Sequence, residues 1–426
     1  MNTNINNIID NARLNTFFVS VFVILHISFI ISGYTLGVYS VTLSDIQSHL
    51  DLNSTQSGFL ASSALLGMMI GALFLGMLSD IIGRKKTLLL AITLFSISNG
   101  LIVYTNSYHL FALFRFLAGV GVGALTPICV SLLSEYSPKS NRTLLITIVM
   151  TGMPLGQLLA SFAGLVFLSN HDWRLLYSLS FFGLILIPIV LFFLPESMKF
   201  YIKQQKTEQI IRILKKAAIP LENNYNNFVT GQDATTSNLS TLFETQYLKN
   251  TLALCLVFFC NMYVFYGVST WLPNLMYHQG YTMSSSIIFL SVFLLGNIFT
   301  APIIGLFTDR IGYKRLMGLF YIVLAIVICL LSFLIVDYAK YVFVFLIGGC
   351  IGVVQNTVLA IIPKFYSLSQ RGTAIGVFSA CSRFGSFIAP AIVGIMLTFD
   401  VELNLVFLFF AIPAIIGLIS TLNTKN

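Results

Sequence analysis

The sequence predicts an all-α membrane protein whose twelve transmembrane helices form two six-helix bundles. Of its 426 residues, 57% are apolar and only 9% are charged, and the mean hydropathy is +0.89. Soluble domains average about 25% charged residues. Apolar runs of membrane-spanning length occur twelve times, and the last six repeat features of the first six. A soluble globular fold and intrinsic disorder are therefore excluded.

Each predicted helix is an apolar run able to cross a hydrocarbon layer of about 30 Å, which takes about 20 helical residues. The first six runs cover 17–43, 58–79, 87–105, 109–134, 143–168 and 175–194. The second six cover 250–275, 283–308, 316–336, 340–363, 372–398 and 402–422. The first run is longer than the apolar part of a signal peptide, and no small-residue cleavage site follows it, so we expect no cleaved leader.

A polar interval separates the two sets of runs. It divides the chain into an N-terminal bundle (1–194), a linker (195–249) and a C-terminal bundle (250–426). The linker combines Lys and Arg residues with a polar stretch at 223–240. This pattern predicts a cytoplasmic segment whose first half is a helix lying at the membrane surface.

The net charge of +8 is distributed as in a membrane protein, and it does not indicate a nucleic-acid partner. Only Arg174 and Lys340 fall in predicted outer loops, whereas most Lys and Arg residues lie on the opposite side. Positive loops favour the cytoplasmic side, so both termini are predicted to be cytoplasmic. The short loops are typical of a bacterial inner-membrane protein, and we expect a monomer in the lipid bilayer.

The two halves repeat at an offset of 229 residues. Segment 76–86 (GMLSDIIGRKK) follows the second run, and segment 305–315 (GLFTDRIGYKR) follows the eighth. Asp80 and Asp309 coincide, as do the flanking glycines and the basic pair. The same offset relates Gly67 to Gly296, Gly119 to Gly348, Gly123 to Gly352 and Gly156 to Gly385. We therefore expect two bundles related by an axis along the membrane normal, an arrangement found in transporters with a site between the bundles.

Several of these segments carry a family resemblance. The loop G-x-L-x-D-x-x-G-R-K resembles the signature loop of the major facilitator superfamily. The block that begins RFLAGVGVG at Arg115 and runs to Glu135 and Arg142 resembles the helix-4 motif of that superfamily. Further similar blocks are DWR at 172–174, PES at 195–197, WLP at 271–273, QRGT at 370–373 and SRFGS at 382–386.

Together these blocks are most similar to the aromatic acid/proton symporter family, and more distantly to sugar porters. The resemblance implies the major facilitator fold and uptake of a small organic acid together with a proton, with no other cofactor. One segment departs from the family pattern. Relatives commonly carry Asp-Gly-aromatic-Asp in the first helix, where this chain has Ser32-Gly-Tyr34-Thr35. A neutral or zwitterionic metabolite (an amino acid, nucleoside or sugar) and export therefore stay open as alternatives.

Three side chains inside the predicted helices, His26, Arg115 and Arg383, are charged or titrate near neutral pH, and no Asp or Glu lies at comparable depth. Such groups are rare in a bilayer and usually functional. Arg383 lies eleven residues, about 16 Å, into its helix and therefore near the membrane midplane. Because a guanidinium suits a carboxylate, Arg383 is predicted to bind the acid group of the substrate. The alternatives are that it stacks on a Tyr, bonds helix carbonyls or faces water without a role.

A second set of residues is predicted to act in coupling or gating. Arg115 is expected to bridge the fourth and first helices. His26 could carry the proton, although hydrogen-bonded packing is the slightly preferred interpretation. Asp80 and Asp309 could cap a neighbouring helix N-terminus or pair with the loop cations, latching the halves together on the cytoplasmic side. The other charged residues of this set are Arg84, Glu135 and Arg142.

Polar and aromatic residues on the helices expected to line the central cavity complete the candidate binding site. They are Tyr34, Tyr39, Asn261, Tyr263, Tyr266, Asn297, Gln355 and Asn356. Tyr34 and Tyr263 are matched by the 229-residue offset and are predicted to face each other. The set indicates a small polar solute with an apolar or planar part. No HExxH or GxSxG motif occurs, and the six cysteines lack metal-site spacing, so an enzyme and a metal site are not expected.

Overall fold

The computed structural model describes residues 2–168, 172–219, 227–229, 239–300, 311–333 and 336–424. In this part of the chain, twelve helices are long and apolar enough to cross a membrane. The first six are α1 (Thr16–Leu50), α2 (Ser54–Ile82), α3 (Arg84–Tyr104), α4 (Tyr108–Glu135), α5 (Arg142–Phe167) and α6 (Trp173–Phe193). The last six are α7 (Thr245–His278), α8 (Met283–Thr300), α9 (Tyr313–Phe333), α10 (Asp337–Phe365), α11 (Leu368–Thr398) and α12 (Leu403–Asn423). The predicted all-α membrane fold is confirmed.

Several helices extend beyond the predicted runs, because hydropathy marks only the part that suits hydrocarbon. α1 continues to Leu50, and α7 begins within the predicted linker. α2 begins four residues before its apolar run, where Asn53 and Gln56 form a capping box. Four of the spans that the structure describes are irregular. α5 breaks at Thr151 and α12 at Phe410. α6 passes through a 3-10 stretch, Leu179–Ile185, and α3 ends in a 3-10 turn, Ile102–Tyr104.

The start of the linker is helical, as predicted. Helices Met198–Lys203 and Thr207–Lys216 follow α6, and the second of them buries Ile210 and Leu214. A 3-10 turn, Leu239–Phe243, precedes α7. Most of the predicted polar stretch 223–240 lies outside the described residues.

The N-terminal segment packs against the linker. It contains strand β1 (Asn2–Asn4) and a short helix, Ile5–Asp10; β1 pairs in parallel with strand β2 (Asn227–Val229) of the linker. Asn15, the N-cap of α1, also donates from Nδ2 to the carbonyl of Ala217, 2.6 Å away. The linker is thereby attached to the N-terminal bundle.

The repeat seen in the sequence is also a repeat of helix contacts. A Cβ placed on Gly67 would lie 2.1 Å from the carbonyl oxygen of Phe116, and one on Gly296 would lie 2.1 Å from that of Phe345. The partners Phe116 and Phe345 are themselves 229 residues apart. The same holds for the carbonyls that face the other glycine pairs, Ala64 and Phe293, Met68 and Asn297, and Ile30 and Phe259. Small residues allow these helix backbones to approach closely, so the contacts of α2 with α4 and of α1 with α5 recur as α8 with α10 and α7 with α11.

The two bundles meet where α2 packs on α11, α5 on α8 and α1 on α7. We call the end of the spans that carries the termini and linker the terminus end, and the opposite end the far end. At the far end the Thr55 hydroxyl donates to Thr398 Oγ1 at 2.8 Å. Asn274 Nδ2 donates to Ser44 Oγ at 3.0 Å and to Gln47 Oε1 at 2.9 Å. These bonds join the bundles and close the far end.

Candidate functional site

Arg383 lies between the two bundles, at the middle of α11. Its Nη1 contacts the sulfur of Met68 on α2, 3.9 Å away in the opposite bundle. The side chain is half-buried. Among the residues that the structure describes, no Asp or Glu forms an ion pair with it. The guanidinium therefore faces the partner bundle without an ion pair to any acidic residue in the described ranges, as the sequence-based hypothesis requires.

Tyr266 connects Arg383 to the N-terminal bundle. The Arg383 guanidinium lies close enough to Tyr266 to interact electrostatically with its hydroxyl. That hydroxyl donates to the sulfur of Met153 on α5, 3.7 Å away. Methionine sulfur is polarisable and packs well against aromatic rings. The surface beside the cation is thus formed by one phenol and two thioethers.

A small cavity of about 20 Å³ lies between the bundles on the far-end side of Arg383. We call it the Arg115 recess. Helices α1, α2, α4, α5 and α7 contribute its walls, so it belongs to both bundles. Its lining consists of Leu36, Tyr39, Ser40, Ala61, Leu65, Arg115, Gln157, Tyr266, Ser269 and Thr270. It has room for about one water-sized group.

Arg115 is placed against α1, where the sequence predicts a bridge. Its Nη1 donates to the carbonyl of Thr35 at 3.3 Å, and its guanidinium carbon lies 4.6 Å above the Tyr39 ring. The residue is only 3% exposed, and its Nε has no hydrogen-bond partner. Tyr39 is fixed in turn, because its hydroxyl donates to the carbonyl of Ser57 at 2.6 Å. Arg115 therefore both bridges two helices and lines the recess.

The remaining polar candidates lie on α7, α8 and α10. Asn261 Nδ2 donates to Gln355 Oε1 at 3.0 Å, so these two form a pair between α7 and α10. Asn297 contacts the carbonyl of Gly348 at 3.4 Å, and Asn356 bonds the carbonyl of Gly352 in its own helix. None of these four residues lines the Arg115 recess.

The prediction that Tyr34 and Tyr263 face each other is wrong. Tyr34 donates to the carbonyl of Leu176 on α6 at 2.7 Å. Tyr263 packs against Phe409 and Phe410 at the break in α12, with ring centroids 6.4 Å away. A rotation axis along the membrane normal relates the two bundles, so residues matched by the repeat lie at equivalent positions, each inside its own bundle. The two tyrosines therefore occupy corresponding positions against α6 and α12.

His26 lies outside the recess, on the part of α1 nearer the terminus end. Its ring stacks on Phe22, with centroids 5.8 Å apart and planes 5° apart. It packs beside Gly152, where α5 approaches α1. Its Nδ1 is buried without a hydrogen-bond partner, so this nitrogen is able to accept a proton.

A charged network occupies the terminus end of the N-terminal bundle. Arg84 forms a close ion pair with Glu135, and Asp80 lies 3.6 Å from the same guanidinium. The side chain of Glu135 is only 5% exposed, whereas that of Asp80 is 70% exposed. Glu135 also accepts hydrogen bonds from Ser197 Oγ at 2.7 Å and from the backbone N–H of Met198 at 3.0 Å. The signature loop, the end of α4 and the start of the linker thus share one buried carboxylate.

Glu196 extends this network. Its Oε1 accepts from the backbone N–H groups of Lys85 and Ser197, both at 2.9 Å, and so caps the start of α3. The chain turns there at Gly83, whose φ of +103° favours glycine. Burial, followed by the charges of Glu135 and Glu196, raises the pKa of Tyr136 well above its ordinary value. Tyr136 therefore stays protonated and donates to the Glu196 carbonyl at 2.6 Å.

Arg142 does not pair with Glu135, the acidic residue of the same sequence block. It pairs with Asp10 of the N-terminal helix and donates to the carbonyl of Ser137 at 2.9 Å. Asp309, the repeat counterpart of Asp80, lies outside the described residues. The latch between bundles that the motif loops predict stays a prediction.

Sequence reasoning missed the methionines Met68 and Met153 and the polar recess residues Ser40, Gln157, Ser269 and Thr270. Gln157 is 4% exposed, lines the recess and has an unpartnered Nε2. The signal for it was a lone amide in the apolar α5, directly after the repeat glycine Gly156. The two methionines gave no signal, because a Met in an apolar helix is ordinary packing.

Comparisons with known proteins agree with this architecture. The family model of the Major Facilitator Superfamily matches residues 25–293 and 254–424. A benzoate transport protein of Acinetobacter baylyi is 30% identical over 98% of this chain and 91% of its own length. A gallate transporter of Pseudomonas putida is 28% identical over 95% and 91%, and a 4-hydroxybenzoate transporter of A. baylyi is 28% identical over 85% and 81%.

Solved structures show the same fold. The xylose transporter XylE from E. coli, in a partially occluded inward-open conformation, superposes with a TM-score of 0.75 at 16% identity, covering 95% of this chain and 97% of that one. The family match and the relatives, which are transporters of aromatic acids, also establish that the chain is a transporter and not an enzyme. The chain belongs to the major facilitator superfamily.

Proposed function

We propose that this protein carries a small aromatic carboxylate across the membrane by alternating access, in symport with a proton. The observation that carries the proposal is the placement of Arg383, a half-buried cation between the bundles with no acidic partner among the described residues. An uncompensated charge at this depth favours an anionic ligand. The benzoate, gallate and 4-hydroxybenzoate transporters among the relatives support an aromatic acid as that ligand.

The surroundings of Arg383 suit an aromatic ring as well as a charge. The guanidinium offers the planar donors that a carboxylate accepts in pairs. Tyr266 and Met68 lie beside it, and the Met153 sulfur contacts the Tyr266 hydroxyl, so these side chains supply ring and sulfur surface. A planar acid bound with its carboxylate on Arg383 would place its ring against these side chains.

The closed far end supports a direction of access. With the positive loops on the cytoplasmic side, the terminus end faces the cytoplasm. Contacts such as Thr55–Thr398 hold the bundles together at the far end, and substrate taken up from outside would leave through the opposite, cytoplasmic end.

Binding of matched acidic and neutral ligands tests the proposed substrate class. We expect benzoate to raise the melting temperature of the purified protein, because a ligand that binds only the folded state stabilises it. Benzamide, which has the same shape without the charge, should have little effect. Equal stabilisation by both, or stabilisation by amino acids, nucleosides or sugars but not by benzoate, would contradict the anion proposal and favour a neutral or zwitterionic substrate.

His26 is the candidate proton carrier, because it is a titratable group inside a membrane span and its buried Nδ1 has no hydrogen-bond partner among the described residues. The test is exchange of labelled benzoate across the membrane of proteoliposomes with equal pH on both sides. Because no proton gradient is present, a pH effect on exchange reports protonation of the transporter and not the driving force for transport. We expect exchange by the wild type to increase as the pH falls through the range in which histidine titrates. His26→Gln should flatten this dependence, and an unchanged pH profile would remove His26 from the coupling mechanism.

A further inference from the structure

A second cavity, of about 550 Å³, lies away from the candidate site, at the far end of the C-terminal bundle. We call it the far-end cleft. Its walls come from the turn after α7 and from the far ends of α9, α10 and α12. They consist of Gln279, Leu331, Ser332, Phe333, Lys340, Glu402, Leu403 and Asn404. Ligand-binding clefts usually measure about 300–1,000 Å³, so this one has room for a small molecule or a lipid headgroup.

Lys340 supplies a cation to the cleft, and the protein holds it in place. Its side chain is only 12% exposed, and its Nζ donates to the Tyr281 hydroxyl at 2.9 Å. Asp337 Oδ1 lies 4.0 Å from the same nitrogen, beyond hydrogen-bond distance. An ammonium has three N–H donors, and in the described part of the chain only Tyr281 accepts from it. Lys340 is therefore positioned by the protein and has donors left for a ligand.

Glu402 supplies a carboxylate to the same cleft. It is the N-cap residue of α12, yet its side chain makes no capping hydrogen bond. The residue is exposed, and no Lys or Arg among the described residues pairs with it. The cleft therefore presents both a cation and an anion to a single ligand.

The cleft borders the lipid-facing surface of α9 and α12. Leu330, directly before the cleft on α9, is exposed, and so is Leu405, directly after it on α12. Phe333 in the cleft wall is itself exposed. Both helices are membrane spans, and exposed apolar surface on such helices contacts lipid. A molecule in the cleft would therefore meet acyl chains as well as the two charges.

We propose that the far-end cleft binds the headgroup of a zwitterionic phospholipid, phosphatidylethanolamine, whose acyl chains lie along α9 and α12. Lys340 binds the phosphate, and Glu402 accepts a hydrogen bond from the primary ammonium. The lipid is a stabilising ligand of the C-terminal bundle and not a transported substrate. The proposal does not depend on the site at Arg383 or on the substrate bound there.

The charges around the cleft favour this headgroup over other phospholipids. Asp337 and Asp400 lie three and two residues from Lys340 and Glu402 along the chain, so three carboxylates accompany one ammonium. This excess of negative charge disfavours an anionic phospholipid such as phosphatidylglycerol. Phosphatidylcholine is zwitterionic too, but its trimethylated ammonium has no N–H to donate to Glu402. A site that uses both charges therefore prefers the primary amine.

Native mass spectrometry of the purified full chain in detergent measures this preference. The protein is mixed with equal amounts of three phospholipids that share the same acyl chains and carry ethanolamine, choline or glycerol headgroups. We expect the wild type to retain the ethanolamine lipid with about fivefold preference over the choline lipid, the value of one hydrogen bond. The glycerol lipid should be retained least.

Glu402→Gln tests the ammonium contact, because it removes the charge and keeps the shape of the side chain. The preference for ethanolamine over choline should fall to less than about twofold. Lys340→Met keeps an apolar stem and removes the ammonium, so it should lower the retention of both lipids. Asp51→Asn is the matched control, because it neutralises an exposed carboxylate at the far end of α1, in the other bundle. It should leave the preference unchanged.

Three results would overturn the proposal. Equal retention of the three lipids by the wild type would show that no headgroup is recognised. An unchanged preference in Glu402→Gln would remove the carboxylate from the site, and this variant decides the matter even if Lys340→Met does not fold. Displacement of the ethanolamine lipid by an equal concentration of soluble phosphoethanolamine would show that the cleft binds a free zwitterion and not a lipid.

Discussion

Replacing Arg383 with alanine should abolish uptake while the protein still reaches the membrane. The guanidinium faces Met68 in the opposite bundle and has no acidic partner among the described residues. A hydrogen bond to a charged group contributes about 1.5–3 kcal/mol. Losing the bonds between the Arg383 guanidinium and the substrate carboxylate should therefore weaken substrate binding by at least about tenfold. Uptake of labelled benzoate into cells or proteoliposomes, normalised to protein amount, measures the loss.

Two control variants separate binding from folding in this experiment. Arg383→Lys keeps the charge but loses the planar pair of donors, so it should retain only part of the uptake. Arg212→Ala removes an exposed arginine of the linker and should leave uptake unchanged. Arg383→Ala should lower the melting temperature of the ligand-free protein little, because Arg383 forms no ion pair with the acidic residues that the structure describes. Near-normal uptake by Arg383→Ala would overturn the anion site, and a large fall in its melting temperature would indicate a structural role.

Glu135→Gln should give the largest loss of stability among the charged residues of the motif loops. Glu135 is buried, pairs with Arg84, and accepts bonds from Ser197 and Met198. Removing one charge of a buried pair costs about 3 kcal/mol, and here it leaves Arg84 with only the exposed Asp80 as a counter-ion. We expect a lower melting temperature in detergent and reduced uptake, since the end of α4 would no longer be fixed to the linker.

Asp80→Asn is the matched control, because Asp80 approaches the same guanidinium. Its side chain is 70% exposed and lies 3.6 Å from Arg84, so this pair should contribute under about 1 kcal/mol. The melting temperature should therefore barely change. If Asp80→Asn destabilised the protein as much as Glu135→Gln, burial would not be what distinguishes the two carboxylates. Loss of uptake by Asp80→Asn at unchanged stability would support the gating role predicted for the signature loop.

The sequence by itself determined the membrane fold and its internal symmetry. The membrane spans could be predicted from the apolar runs, because an apolar helix of about 20 residues makes all its backbone hydrogen bonds internally and is therefore stable in lipid. The glycine pairs such as Gly67 and Gly296 revealed the repeat, because close helix approach tolerates no side chain at those positions. Arg115 and Arg383 were also visible in the sequence, since a charge in an apolar run is rare.

Only the tertiary structure decided which polar side chains share one site. Tyr34 and Tyr263 are matched in sequence, yet each packs within its own bundle. Gln157 is one amide in an apolar helix, but it meets Arg115 and Tyr266 at the recess. Periodicity gives the face of a single helix, whereas the recess requires the packing of five helices from two bundles. The donors left unpaired there follow from that packing, and no local pattern in the chain encodes them.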